Sequence, residues 1–156
     1  MLEVFFCLIV GVSSSNALVV DCEKDGPYEE YAVRLMAAGI PEKGGAMGSF
    51  AHEVLSELTV GQIARLECVP AQHSNMSEPR ICTVWVAPQS AQGGAPTLDV
   101  GLAMITIGAA WWNQGDLAYQ TLQQRGQYEF AQMEAKAKGA GGWQTSSEGF
   151  SRGKNK

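Results

Sequence analysis

The sequence predicts an α+β fold built on a small antiparallel sheet that is closed or nearly closed. Three observations support this prediction. Short apolar or alternating segments fill the first part of the chain, one helical pattern interrupts them, and two further helical patterns follow. Runs of strands followed by helices are typical of α+β domains rather than of alternating β and α units.

Length and composition limit the class of protein. The chain has 156 residues, which fits one domain. Hydrophobic residues make up 46% and charged residues 17%, which excludes a disordered or collagen-like chain. Acidic residues outnumber basic ones 16 to 11, giving a net charge of −5. A strongly basic chain would have indicated a nucleic-acid partner, and this balance does not. It does not exclude one either, because an acidic protein can contain a small basic cleft.

The strands are predicted from apolar clusters and from alternation of apolar and polar residues. The predicted strands are 18–20, 31–36, 64–68 and 80–86. Between the second and third of them, Ser49 is the expected N-cap of a helix with apolar positions from Phe50 to Leu58, and Gly61 ends that region.

Two more helices are predicted in the second half of the chain. Residues 98–112 are rich in Ala, Leu and Met, and residues 117–138 are rich in Gln, Ala and Glu. Phe130, Met133 and Ala137 line one face of the second helix. Residues 144–156 are expected to form a flexible tail because Gly, Ser and Lys dominate them.

The N-terminus resembles a secretory signal. Residues 1–12 are almost wholly apolar, and Ser15-Asn16-Ala17 has the small-x-small form of a signal-peptidase site. We therefore predict a signal peptide over residues 1–17, a secreted or periplasmic protein, and no membrane span once the signal is removed. Glu3 is atypical of such a signal, and the alternative is a first strand with Val4–Val10 in the core.

The cysteines are compatible with one bridge after signal removal. Cys7 would leave with the signal, so that three cysteines and one spare thiol would remain. Cys68 and Cys82 lie in predicted strands, where they form either a cross-strand disulfide or two small buried apolar residues. His52 and His73 lack a third ligand, so surface or packing roles are expected of them.

Four segments together indicate a family. Val33–Glu42 reads V-R-L-M-A-A-G-I-P-E, and Arg80–Val86 is an arginine followed by an apolar strand. Asp99–Trp112 and Glu134–Trp143 follow, ending in W-W and in G-x-W. In this order they resemble the staphylococcal-nuclease-like, or thermonuclease, family over residues 18–143. The resemblance implies a five-stranded OB-fold-type β-barrel with three α-helices.

The resemblance also implies a phosphodiesterase that hydrolyses single-stranded or frayed DNA and RNA. Glu42 would be the general base, and Arg34 and Arg80 would stabilise the transition state. The chemistry fits these residue types, because a carboxylate can activate water and an arginine can bond two phosphoryl oxygens. Taken singly, each could be an ordinary surface residue, and Glu42 could be a solvated acid beside Lys43.

The chain differs from the family pattern at the calcium site. The family's ligand acids would correspond to Asp21 and Glu23, with the Ile40 carbonyl as a further oxygen. Gly39 stands where another acid is expected. Calcium takes six to eight oxygen ligands, so the loss of one carboxylate weakens the expected Ca²⁺ site. The alternative is that Asp21 and Glu23 are turn acids without a metal.

Two classes of function stay open from the sequence. The first is an exported nuclease, favoured by the set Arg34, Glu42 and Arg80, and this is the class that the sequence favours. The second is a catalytically degenerate member of the family that binds nucleic acid or a protein. The acidic charge and Gly39 favour the second class. In either case the chain is expected to be a monomer.

Overall fold

The computed structural model describes residues 2–22, 30–42, 44–70, 78–144 and 150. The strands within these residues are β1 (Glu3–Val12), β2 (Leu18–Asp21), β3 (Glu30–Leu35), β4 (Ala38–Gly39), β5 (Ile63–Cys68), β6 (Arg80–Val86), β7 (Leu98–Asp99) and β8 (Trp111–Trp112). The α-helices are α1 (Ala46–Thr59), α2 (Val100–Ile107) and α3 (Leu122–Lys138). Short 3₁₀ turns occur at Gln89–Ala91, Gln114–Tyr119 and Gly141–Trp143.

Five of the strands form a closed barrel in the order β3-β2-β1-β5-β6. Neighbouring strands are antiparallel except β3 and β6, whose parallel pairing closes the barrel. Closure removes the exposed sheet edges that would otherwise invite association with other chains. The barrel and its three helices confirm the predicted α+β, OB-type architecture.

Strand β1 is apolar on both of its faces. Cys7 and Ile9 point into the barrel and are buried, whereas Val4, Phe6 and Val10 are exposed on the outer face. Successive side chains of a strand point to opposite faces, so this pattern requires apolar residues at nearly every position. A run of this kind has the composition of a signal sequence, which explains the prediction made for residues 1–17.

The structure places that segment in the barrel. β1 pairs with β2 on one side and with β5 on the other, which agrees with the alternative of a first strand. That alternative placed all of Val4–Val10 in the core, but Val4, Phe6 and Val10 are exposed. Residues 3–12 are thus a barrel strand in this structure, whereas the signal peptide over residues 1–17 stays a prediction. Cleavage after Ala17 stays a prediction, and it would remove the strand that joins β2 to β5.

All four cysteines are paired. Cys7 bonds to Cys22, and Cys68 bonds to Cys82, so the expected spare thiol is absent. Cys68 and Cys82 face each other in the register of β5 and β6, which confirms the cross-strand alternative. The prediction of one bridge was wrong because it removed Cys7 together with the supposed leader.

Helix α1 starts earlier than predicted. Its N-cap is Gly45, and Ser49 lies inside the first turns, where its amide donates to the Gly45 carbonyl at 3.0 Å. Ala51 and Leu55 are buried in the core beneath the helix. None of the described helices has the length and apolar character needed to cross a membrane.

Helix α2 ends before the two tryptophans. The Asp99 side chain accepts from the Leu102 amide at 3.2 Å and caps its start. Gly108 ends it in the left-handed conformation, at φ 83°, which glycine adopts without strain. The predicted helix over 98–112 is thus too long, and Trp111 and Trp112 form β8, which pairs with β4.

Helix α3 begins at a capping box formed by Thr121 and Gln124. Its buried face consists of Tyr128, Ala131 and Ala135. The face with Phe130, Met133 and Ala137, which the sequence singled out, is exposed to solvent.

Candidate functional site

Arg34 is held by Asp116. Its Nη1 donates to Asp116 Oδ2 at 2.8 Å and its Nη2 donates to Oδ1 at 3.1 Å, so that the ion pair is bidentate. The Asp116 side chain is 7% exposed and the Arg34 side chain 38% exposed. Such fork-to-fork contacts are among the stronger charge-assisted hydrogen bonds in proteins.

Asp116 is itself fixed by the backbone around the turn between β3 and β4. Its Oδ2 also accepts from the Ala37 amide at 2.8 Å, and the Ala37 carbonyl accepts from the Asn113 amide at 2.8 Å. Ala37 has φ 62°, in the left-handed region that a residue with a side chain seldom adopts. The carboxylate therefore supports the turn that leads into Gly39 and Glu42.

Arg80 lies at the start of β6, in the wall of a cavity of about 90 Å³. Its Nη2 donates to Glu3 Oε1 at 2.6 Å and to the Val69 carbonyl at 3.0 Å. Its guanidinium carbon lies 5.0 Å from the centre of the Phe5 ring, which is cation–π distance. The cavity is otherwise lined mainly by apolar side chains, among them Val33.

The two arginines occupy opposite faces of the sheet. Val33 is the partner of Arg80 in the parallel register of β3 and β6, and both line the cavity. Because side chains alternate along a strand, Arg34 points away from that cavity and reaches Asp116 instead. The barrel places the two strands side by side, but each guanidinium bonds to a different carboxylate.

Glu42 is exposed and follows Pro41, whose carbonyl accepts from Asn16 Nδ2 at 2.7 Å. Lys43, the neighbour named in the sequence prediction, lies outside the described residues. The catalytic roles of Arg34, Glu42 and Arg80 stay predictions, and the described contacts engage both arginines without Glu42.

The two described residues that were expected to bind calcium, Asp21 and Ile40, lie apart from each other. Asp21 ends β2, where it pairs with Leu8 and Glu30, and it is buried with no partner for Oδ1 among the described residues. Ile40 lies next to Pro41, at the opposite end of β2, where the turn residue Asn16 binds. Glu23 lies outside the described residues.

Gly39, where the resemblance calls for an acid, is covered by an indole ring. A Cβ atom added at Gly39 would overlap Trp111, and β4 and β8 pair at these two residues. Any acid at this position would have to displace the tryptophan. Within the described part of the chain, no three His, Cys, Asp or Glu residues are arranged to hold a metal ion. The described residues therefore do not show a calcium site, and the ligand set that includes Glu23 stays a prediction.

The sequence did not identify a polar cluster around Asn16. This residue is buried in the turn between β1 and β2, and its Nδ2 donates to the carbonyls of Pro41 and Gly48, at 2.7 and 3.3 Å. His52 Nδ1 lies 2.9 Å from Asn16 Oδ1. Because the amide nitrogen donates to two carbonyls, Oδ1 is the acceptor and His52 Nδ1 carries the hydrogen. The packing role expected of His52 agrees with this contact.

A second polar pair is buried beneath α2. The Tyr128 hydroxyl lies 2.8 and 2.9 Å from the two carboxylate oxygens of Asp99 and donates to that carboxylate. Burial raises the pKa of the Asp99 carboxyl, and the hydrogen bonds from Tyr128 and the Leu102 amide lower it by less. Burial and the Asp99 charge raise the pKa of the Tyr128 hydroxyl.

Comparison with family models and with curated proteins finds no match for this chain. The class that the fold defines is a closed OB-type barrel with three helices.

Proposed function

We propose that the chain is a binding barrel without phosphodiesterase activity, built on a thermonuclease-like plan. The observation that carries this proposal is the bidentate ion pair between Arg34 and Asp116. An arginine that stabilises a phosphoryl transition state must offer its N–H groups to the phosphoryl oxygens. Here Asp116 accepts one N–H from each terminal nitrogen of Arg34, so that two of its five donors are already engaged.

Release of Arg34 to a substrate would be costly. Asp116 is buried, and removing its arginine partner would leave a carboxylate with only the Ala37 amide as a described donor. Breaking a buried pair by taking away one partner costs several kcal/mol in typical cases. Binding of Arg34 to a transition state would first have to offset the free energy lost when the pair with Asp116 breaks. The pair therefore supports a structural role for Arg34.

Arg80 supports the same conclusion from the other face of the sheet. Its charge is matched by Glu3 at 2.6 Å, and among the described residues it also contacts Val69 and Phe5. Two arginines that point to opposite faces cannot bind one phosphoryl group without a rearrangement of β3 or β6.

The ligand that fits best is a protein. The chain has a net charge of −5, and nucleic-acid binding depends chiefly on unpaired cations that contact phosphates. The outer face of β1 instead presents Val4, Phe6 and Val10, with Ile63 across from it on β5. Exposed apolar surface of this kind is typical of protein contact sites. The two disulfides support a location in an oxidising compartment, as expected of a secreted protein.

The test uses the full chain with both disulfides intact. Labelled single-stranded DNA and RNA are incubated with calcium, magnesium, manganese or EDTA, and their fluorescence anisotropy is followed at low and high salt. We expect no cleavage and no salt-sensitive binding. Binding that falls as salt rises, without cleavage, would refute the choice of a protein ligand and keep the inactive barrel.

The nuclease is the second candidate, because Glu42 is exposed and Arg34 and Arg80 lie on neighbouring strands. Metal-dependent cleavage that disappears in Glu42→Gln would establish it and refute the proposal of an inactive barrel. The matched control is Glu129→Gln, an exposed carboxylate on α3. Cleavage that survives equally in both variants would refute Glu42 as the general base.

A further inference from the structure

Helix α3 carries an exposed apolar stripe on the side opposite its buried face. Leu122 is 81% exposed, Phe130 62% and Met133 61%. At 100° per residue, these three side chains and Gly126 fall within a narrow sector of the helix surface. We call Leu122, Gly126, Phe130 and Met133 the α3 stripe. Single exposed apolar residues are common, but a continuous stripe of large ones marks a contact surface.

Gly126 is the feature that the chain itself does not explain. A Cβ atom added there would meet nothing within 4 Å, and the residue lies in the interior of the helix. Glycine in a helix interior costs about 1 kcal/mol relative to alanine. Among the described residues, none approaches closely enough to require the missing side chain. A close approach of another molecule to the helix backbone would require a glycine at this position.

The stripe is symmetric about Gly126. Leu122 precedes it by four residues and Phe130 follows it by four. Tyr119, which is 42% exposed just before the helix, and Met133 lie seven residues to either side. When two such helices cross antiparallel at Gly126, Leu122 of one copy meets Phe130 of the second copy, and glycine meets glycine. A two-fold axis requires this kind of self-complementarity.

The area agrees with a modest interface. With about 200 Å² for each large side chain, the exposed fractions of Tyr119, Leu122, Phe130 and Met133 give roughly 500 Å² per copy. Complete burial of these side chains in both copies would cover about 1,000 Å², which is the size of a weak or transient contact.

We propose that the α3 stripe is the contact surface between two copies of this chain, which pair antiparallel about a two-fold axis at Gly126. The proposal replaces the monomer expected from the sequence. It does not depend on what the barrel binds, because α3 contributes neither Arg34, Arg80 nor the outer face of β1.

The test measures mass against concentration by sedimentation velocity, with the full disulfide-bonded chain. We expect the average mass to rise from 16.7 kDa toward twice that value between micromolar and millimolar concentration. Added salt should favour the dimer, because each copy carries a net charge of −5 and the contact is apolar.

Two variants locate the surface. Gly126→Gln and Phe130→Gln should each shift the midpoint of association at least tenfold to higher concentration. Gly126→Gln should also raise the thermal midpoint of the monomer, since glutamine is a better helix former and has open space there. Gln127→Ala, about 100° away around the helix, is the matched control and should leave association unchanged.

The outcomes that would overturn the proposal are distinct. A wild-type chain that stays at 16.7 kDa up to millimolar concentration would refute it. So would a dimer that survives Gly126→Gln and Phe130→Gln unchanged. A dimer abolished by Phe6→Gln but not by the helix variants would move the contact to β1.

Discussion

Arg34 and Asp116 stand 82 residues apart in the chain and share two hydrogen bonds at 2.8 and 3.1 Å. The pair joins β3 of the barrel to the 3₁₀ turn that precedes α3. Since Asp116 also accepts from the Ala37 amide, one carboxylate links the barrel, the turn after β3 and the C-terminal helical region. The same contact engages two of the five N–H donors of Arg34.

The Asp116 contact should be measurable as stability. Asp116→Ala is expected to lower the free energy of unfolding by about 2 kcal/mol, because it leaves the buried Ala37 amide and the arginine without their acceptor. Asp116→Asn should cost less, since its amide oxygen still accepts from Ala37. Urea unfolding measures both values. Glu129→Ala is the exposed control, and equal losses in Asp116→Ala and Glu129→Ala would contradict a structural role for the pair.

The first strand should be indispensable. A chain of residues 18–156 is expected to lose cooperative unfolding, because β2 and β5 would each lose their pairing partner and Cys22 its disulfide. Circular dichroism and urea unfolding provide the measurement. Phe6→Ser in the full chain, on the outer face of β1, should fold normally. Residues 18–156 unfolding cooperatively with wild-type stability would show that the barrel closes without β1 and would support the cleaved leader.

The buried Asp99 should make stability fall as pH rises. Its pKa is raised from 3.8 in the folded state, so between that value and the raised one the folded chain holds a proton that the unfolded chain has lost. The protonated Asp99 carboxyl therefore stabilises the folded chain fully below pH 3.8, and this stabilisation is lost as the pH rises through the folded-state pKa.

Asp99→Asn removes this titration and keeps an oxygen for the Leu102 amide and the Tyr128 hydroxyl. The difference in unfolding free energy between the variant and the wild type should therefore move in favour of the variant as pH rises. Urea unfolding across the acidic range measures it. A difference that does not change with pH would show that Asp99 titrates alike in both states.

Restoring the missing acid should not create a calcium site. Gly39→Asp is expected to cost roughly 1–3 kcal/mol, the range for overpacking, because the new side chain overlaps Trp111. Excess calcium should not raise the thermal midpoint of the variant. The control is Gly45→Asp, in open space at the N-cap of α1, which should be neutral or slightly stabilising. A calcium-dependent rise in the melting temperature of Gly39→Asp would revive the metal site.

The barrel could be predicted because its signals are local. Alternation in residues 64–68 and 80–86, together with the order of motifs from Val33 onward, needs no knowledge of distant contacts. The end of α2 was missed because Ala and Trp after Gly108 continue a helical composition, whereas the backbone turns at the glycine. Composition carries no information on that turn.

The site was harder to predict because its partners are distant in sequence. Arg34 was identified from its motif, but no spacing rule points from it to Asp116. The sequence pointed to the large apolar side chains of α3, but the buried face consists of Tyr128 and two alanines. Small residues on that face let the helix lie close to α2. Large apolar side chains identify a contact surface without telling which molecule covers it.

The position of β1 between β2 and β5 sets the timing of folding during synthesis. Glu3 pairs with Cys68, so the first strand leaves the ribosome 65 residues before its second partner exists. At about 5–20 residues per second, it waits roughly three to thirteen seconds with both apolar faces uncovered. During that interval the nascent chain displays a segment that any factor selecting extended hydrophobic peptides will bind, and completion of the barrel must compete with that capture.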